Sequence, residues 1–441
     1  SQYGQIPRNT FISEPGWDAY DTRNNSWGYL FSHRLNSDWT VRQNLRRTVS
    51  EVDYLTIYTS FTANAATGRP ARPVFNNDNR TLVRDAVWNL NTGRMLLIDT
   101  QLEGKLQAGS TAHTLLAGLD VQRNHTGQQA WRAVASSIDV YNPVYGNFTP
   151  PTAAQLVRQP SVVQKQLGFY AQDQIQWGRW TATLGLRHDS AQTDTEGRPA
   201  AAVDDKAWTQ RAGVTYQMDG GWAPYAGYSE SFQPLGGLDA YGTPYKPQRG
   251  EQWEAGVKWQ PPGQGISAFA AVYTLREKNR KTTDPSNPLN SLQIGEVKVN
   301  GFEAEVQASL ARQWDFTLAY AFTDAQISRS NAGDQGQAVA GVPRHTASAW
   351  LSHRFAAQGR GGWVVGAGVR YTGSQWTGTS AITTPAATLA AAMVAYDAGD
   401  WRVAFNVVNL TDKVHITQCL ARGDCFYGQA RTYTLTSTYR F

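Results

Sequence analysis

Trp314-Asp315-Phe316-Thr317-Leu318-Ala319-Tyr320-Ala321-Phe322-Thr323 is the stretch on which the fold turns. Its even positions are aromatic or aliphatic, and its odd positions are small or polar. Successive side chains of a β-strand point to opposite faces, so this segment reads as a strand with one greasy face and one wet face. The same order of turn, tryptophan and alternation recurs at Trp39, Trp180, Trp222, Trp363 and Trp401. Many such strands, each with Trp at one end, describe a barrel standing in a bilayer with an aromatic girdle.

Extended outward, alternation and turn residues predict seventeen strands, at 24–35, 39–58, 84–106, 112–126, 163–177, 180–191, 207–218, 222–231, 248–260, 265–277, 292–309, 313–326, 343–355, 362–374, 386–397, 401–411 and 427–441. Short connections (35–39, 107–112, 177–180, 219–222, 259–265, 310–314, 356–362 and 397–401) alternate with long ones after Tyr58, Asn124, Asp189, Phe232, Asn279, Ser328, Gly373 and Asp412. Short turns on one side and long loops on the other are how outer-membrane barrels are built, with the long loops outside the cell. No linker or composition shift divides residues 1–441, which read as one domain, an all-β antiparallel transmembrane β-barrel. An odd count is awkward. In an up-and-down meander the first and seventeenth strands run the same way, and an open sheet leaves two bare edges in lipid. Either the count is off by one, or further strands precede residue 1.

Composition agrees. Aromatic residues make up 12% of the 441 residues, charged residues only 17%, and there are 40 glycines. No apolar run approaches the roughly 20 residues a membrane helix needs; the longest candidate is Leu389-Ala390-Ala391-Ala392-Met393-Val394-Ala395-Tyr396. Ser1-Gln2-Tyr3-Gly4 carries no export signal pattern, so export is expected to rely on a part not present here. The formal net charge of +5 is spread over scattered arginines and carries no nucleic-acid signature. Cys419 and Cys425 suit one small disulfide loop in an oxidising compartment, with free thiols as the alternative. His415 alone does not complete a metal site, and the seven histidines show no paired ligand spacing. No nucleophile elbow, Walker loop or pair of catalytic carboxylates sits in a fitting context, so the chain does not read as an enzyme.

An ordered series of motifs carries a resemblance. It runs Trp39-Thr40-Val41-Arg42-Gln43-Asn44-Leu45-Arg46, His113-Thr114-Leu115-Leu116-Ala117-Gly118-Leu119-Asp120, Gly168-Phe169-Tyr170-Ala171-Gln172-Asp173-Gln174 and Pro224-Tyr225-Ala226-Gly227-Tyr228-Ser229-Glu230-Ser231-Phe232. It continues with Gly250-Glu251-Gln252-Trp253-Glu254-Ala255-Gly256-Val257-Lys258, Gly295-Glu296, Gly301-Phe302-Glu303 and Asn406-Val407-Val408-Asn409-Leu410-Thr411-Asp412. In this order the chain resembles the barrel of TonB-dependent ferric-siderophore receptors, most closely those for hydroxamates such as ferrichrome. The resemblance implies an N-terminal plug that contacts TonB, and a barrel of about 22 strands, of which about five would precede residue 1. Nothing here resembles the plug, so the chain is expected to be a C-terminal part of such a receptor.

The implied function is TonB-dependent import of a ferric siderophore of hydroxamate type across the bacterial outer membrane, by a monomer that contacts outer-membrane lipid and lipopolysaccharide. The implied ligand already cages its iron, so no intrinsic cofactor is expected, only an aromatic, partly polar cup. The resemblance points to Tyr58 and Trp131 as ligand contacts. Loop position adds Tyr54, Tyr141, Tyr145 and Phe426, and Arg132, with Arg123 nearby, as an attractor for an anionic chelate. Ser60, Arg132 and Leu420 stand where the family would carry aromatics. Arg42, Arg46, Arg187, Glu254, Lys258, Glu303, Glu305 and Arg370 read as a charge ladder on the lumen wall. The competing readings are a plug-less passive pore, a non-functional remnant, or a receptor for haem or cobalamin.

Overall fold

The computed structural model describes residues 4–441 except 8, 64–69, 238, 240, 284–290, 312, 332, 356–360, 379–381 and 421–424. Most of the expected turn at 356–362 therefore lies outside the described residues. One antiparallel sheet dominates. Its long strands are β1 (Ala19–Arg34), β2 (Trp39–Thr59), β3 (Thr81–Ala108), β4 (Thr111–Asp139), β5 (Val162–Trp177), β6 (Trp180–Thr195), β7 (Val203–Tyr216), β8 (Trp222–Gln233) and β9 (Gln248–Trp259). They continue as β10 (Ile266–Thr283), β11 (Ser291–Leu310), β12 (Trp314–Arg329), β13 (His345–Arg354), β14 (Gly361–Thr372), β15 (Ala387–Ala398), β16 (Trp401–Val408) and β17 (Thr432–Tyr439). Each pairs with its neighbour in chain order, and a two-residue piece, Val157–Arg158, adds to β4 below its tip. Among the described residues no helix is long and apolar enough to cross a membrane.

Every expected strand occurs, with one large change of boundary. β4 runs to Asp139 rather than stopping at 126. The residues beyond Thr126 do not alternate in hydrophobicity, but their pairing with β3 continues regardless.

Directly opposed residues share a face of the sheet. Followed through the register, the face of Phe316, Leu318 and Tyr320 also carries Phe302, Trp253, Leu184, Phe169, Leu119 and Leu45 in one direction, and Val369, Phe405 and Leu435 in the other. Leu184, Phe169, Trp253 and Leu435 are all more than half exposed, which water would not tolerate on this scale and lipid rewards. All eight residues of the charge ladder fall on the opposite face, the lumen wall. At the short-turn end the girdle is built of cross-strand ring pairs: Trp222 with Trp259 at 5.3 Å, Trp180 with Tyr216 at 4.6 Å, and Trp401 with Tyr439 at 4.8 Å between centroids.

Glycine is required where a lumen aromatic lies flat across a neighbouring strand. Gly118 is opposed to Tyr170, and a Cβ there would stand 2.2 Å from the ring; Gly301 stands in the same relation to Tyr273. β1 pairs only with β2, and β17 only with β16, so the sheet is not closed among the described residues.

Candidate functional site

β2, β3 and β4 are 21, 28 and 29 residues long, far more than the roughly 10 that cross a bilayer. Their upper halves therefore stand in water and need a core of their own. The segment before β1 provides it. Trp17 packs against Trp88, Trp131 and Phe148 at centroid distances of 6.3, 6.5 and 5.1 Å, over buried Ile57, Ala86 and Ala135. A second cluster joins Leu82, Ile138 and Val140 to Ile12, Phe75 and Tyr141.

Between the two clusters lies Arg84, fully buried. Its guanidinium donates to Glu14 Oε1 at 2.8 Å, to the carbonyls of Ser136 (2.6 Å), Ile12 (2.9 Å) and Ser13 (3.2 Å), and to Ser136 Oγ (3.1 Å). A buried charge is tolerated only when paired and fully hydrogen-bonded, and this one is. The backbone N–H of Ile57, beyond the reach of β1, donates to Ser13 Oγ at 3.1 Å and to Asp18 at 3.2 Å. Nothing in the sequence around Arg84 marks it, because it occupies an ordinary alternating position.

The ligand candidates divide on this framework. Tyr58 is opposed to Asp85, and Tyr54 to Asn89. Val87 and Asn89 are in turn opposed to Arg132 and Ala130. This register puts Tyr54, Tyr58 and Arg132 on the lumen face. Tyr20 joins them, opposed to Tyr54 with ring centroids 5.5 Å apart, and sequence reasoning missed it. Burial pushes the Tyr54 phenol above its ordinary range, so the hydroxyl stays protonated and able to donate.

Trp131 is a correction. It lies in strand β4 rather than in a loop, and its parity turns it to the outward face, opposed to Trp88 and packed on Trp17. It does not converge with Tyr58. Arg123 is likewise outward, opposed to Leu96 and Lys165. Tyr141 and Tyr145 are tied to the segment before β1: their hydroxyls donate to the carbonyls of Gly4 (3.1 Å) and Phe11 (2.9 Å). Phe426 is exposed on a small hairpin closed by the Cys419–Cys425 disulfide, which is formed as expected. Among the described residues no three His, Cys, Asp or Glu side chains gather as metal ligands.

The family model described as TonB dependent receptor-like, beta-barrel matches residues 1–410. The ferrichrome outer membrane transporter/phage receptor of Escherichia coli is 33% identical, aligned over 96% of this chain and 59% of its own length. The ferrioxamine B receptor of Salmonella typhimurium is 31% identical, over 99% of this chain and 61% of its own. The crystal structure of the siderophore receptor PiuA from Acinetobacter baumannii superposes with a TM-score of 0.83 at 17% identity, covering 99% of this chain and 67% of that one. The chain belongs to the TonB-dependent receptor β-barrel family, whose members are outer-membrane receptors and transporters rather than enzymes. It spans about three fifths of the length of the curated relatives it matches.

Proposed function

We propose that this chain is the barrel wall of a receptor that binds a ferric tris-hydroxamate siderophore at its outer mouth and imports it with energy delivered by TonB. The observation that carries the reading is the character of the mouth wall on β2–β4. Tyr54, Tyr58, Asn89, Asn91 and Gln128 share the lumen face there, and the charges among them, Asp85 and Arg132, are opposite in sign. Three hydroxamate anions neutralise one ferric ion, so such a chelate carries no charge and offers carbonyl and amide groups. Three catecholates leave a strongly anionic complex, which would call for a cluster of cations. An aromatic, amide-lined and nearly neutral wall suits the first chelate and not the second. The names of the ferrichrome and ferrioxamine relatives support the same class.

Three further elements belong to this reading. The sheet edges β1 and β17 run in the same direction, so an antiparallel closure takes an odd number of additional strands. TonB acts through a plug outside this chain on a monomeric receptor. Arg123 and Lys165, directly opposed on the outward face, receive lipopolysaccharide phosphates. The iron arrives caged, so the receptor needs no resident cofactor.

The test is uptake of radiolabelled ferric chelates by iron-limited cells whose one receptor is the full-length protein. Ferric hydroxamates should enter in a TonB-dependent manner, and Tyr58→Ala should weaken binding about tenfold, the loss of one well-placed aromatic contact. Uptake of a ferric tris-catecholate with no hydroxamate entering would overturn the reading.

A further inference from the structure

The lumen wall is not uniform. On β5, in steps of two, the lumen face carries Gln164, Gln166, Gly168, Tyr170, Gln172, Gln174 and Gln176. Adjacent β4 continues the pattern upward with Gln122, Asn124 and Gln128, the last donating to Asn91 at 2.8 Å within the mouth wall. Charges reach this strip at two places: Asp99 accepts from the Tyr170 hydroxyl at 2.7 Å, and a cluster around Arg187, in which Asp120 Oδ1 is left without a partner, crosses it. Arg187 reaches over Gly168, where a Cβ would stand 2.1 Å from Nη2, to hold Asp120 at 2.9 Å while also holding Asp189 at 2.7 Å. Farther along the sheet the wall of β9–β11 carries Glu254, Lys258, Glu303 and Glu305 on the same face.

These two sectors treat a passing solute differently. Carboxylates and ammonium groups keep their water or demand an ionic partner. A primary amide gives up water at low cost and offers both a donor and an acceptor in exchange. Gln172 Oε1, midway along the strip, is buried and accepts no hydrogen bond within the protein. We infer that the strip on β4 and β5 is the lane along which the chelate crosses the barrel, handed from amide to amide from the mouth to the periplasmic turn, while the charged sector on β9–β11 holds protein. The inference rests on the neutral, amide-bearing ligand of the proposed function.

The experiment separates binding from passage in the full-length receptor in cells. Gln172→Glu and Gln174→Glu keep the shape of the side chain and replace an amide by a carboxylate. Each should leave the dissociation constant for the ferric hydroxamate unchanged, because the mouth is untouched, and slow uptake about tenfold, the difference between desolvating a charged and a neutral hydrogen-bonding group. Gln172→Asn, which restores an amide, should import at close to the wild-type rate. Thr317→Glu, the same charge on the lumen face of β12, should slow import little. Barrel assembly of each variant is read from its heat-modifiable gel mobility. Equal slowing by Thr317→Glu and Gln172→Glu, or no slowing by the glutamine variants in a receptor that imports normally, overturns the lane alone. A wild-type receptor that neither binds nor imports any ferric hydroxamate overturns the proposed function and the lane together.

Discussion

The tip of β2–β4 and the wall below it are one continuous sheet under opposite rules. At the tip, Ile57, Ala86, Ile138 and Val140 are almost completely buried, and so is the charged Arg84. In the wall, Leu184, Phe169 and Trp253 are more than half exposed on the outward face and touch no protein core. The difference is the solvent. Where water bathes both faces, a sheet must cover one of them with protein, and the segment before β1 serves as that cover. Where lipid bathes one face, alternation alone suffices, because the acyl chains replace the core.

The comparison is sharpest at Arg84. Arg84→Ala strands Glu14 in a dry site and should destabilise the tip by about 3–5 kcal/mol. Limited proteolysis of intact cells should then cut the segment before β1 and the 140–156 loop, while the membrane wall keeps its heat-modifiable mobility. Loss of that mobility as well would mean that tip and wall are one cooperative unit rather than two regions under separate rules. Trp17→Ala should act in the same place through a cavity, at about 3–4 kcal/mol.

The wall responds to a different change. Leu318→Arg puts a charge among acyl chains and should cost about 2–4 kcal/mol in a urea titration of the barrel in vesicles. Ala319→Arg, one residue on and facing the lumen, should cost far less. Equal costs would contradict the assignment of faces. A smaller effect is expected at Gly118→Ala, where the new methyl pushes the Tyr170 ring off the wall, at about 1–3 kcal/mol.

The smallest effect concerns the tip under acid. The guanidinium of Arg80 beside Asp139 holds that carboxyl below its ordinary range, helped by the N–H groups of Tyr141 and Asn142. A depressed carboxyl stabilises the fold above its unfolded value and loses that contribution as pH falls through the folded one. Protease sensitivity of the 140–156 loop should therefore rise below the ordinary carboxylate range and be flat from there to neutrality. Asp139→Asn should remove the pH dependence; a loop equally sensitive at every pH would show that the pair does not brace the tip.

The wall was legible because its pattern has a period of two and an immediate cause. Trp314 to Phe322 alternate because lipid and water lie on either side, and no distant residue is needed to read that. The same holds for the Trp girdle at the short turns and for the disulfide between Cys419 and Cys425, whose partners are close in sequence. The tip was not legible. Gly127-Gln128-Gln129-Ala130 has no periodicity, yet it is strand, because β3 is there to pair with it. Trp131 reads as a loop residue until its place and parity along β4 are known, and parity is set by counting residues through a strand whose end the sequence did not mark. Tyr20 was missed because its relation to Tyr54 exists only once β1 is paired with β2.

Alternation by itself, then, determined that this chain crosses the outer membrane as a β-sheet and which face of each strand meets lipid, since both follow from nearest neighbours in the chain and the two solvents beside them. Which aromatics look into the bore, where Arg84 finds its carboxylate and how the amides of two neighbouring strands come to line one side of the lumen were decided only by tertiary structure. Each of those depends on strand register, and register is a relation between segments tens of residues apart, fixed when their backbones pair.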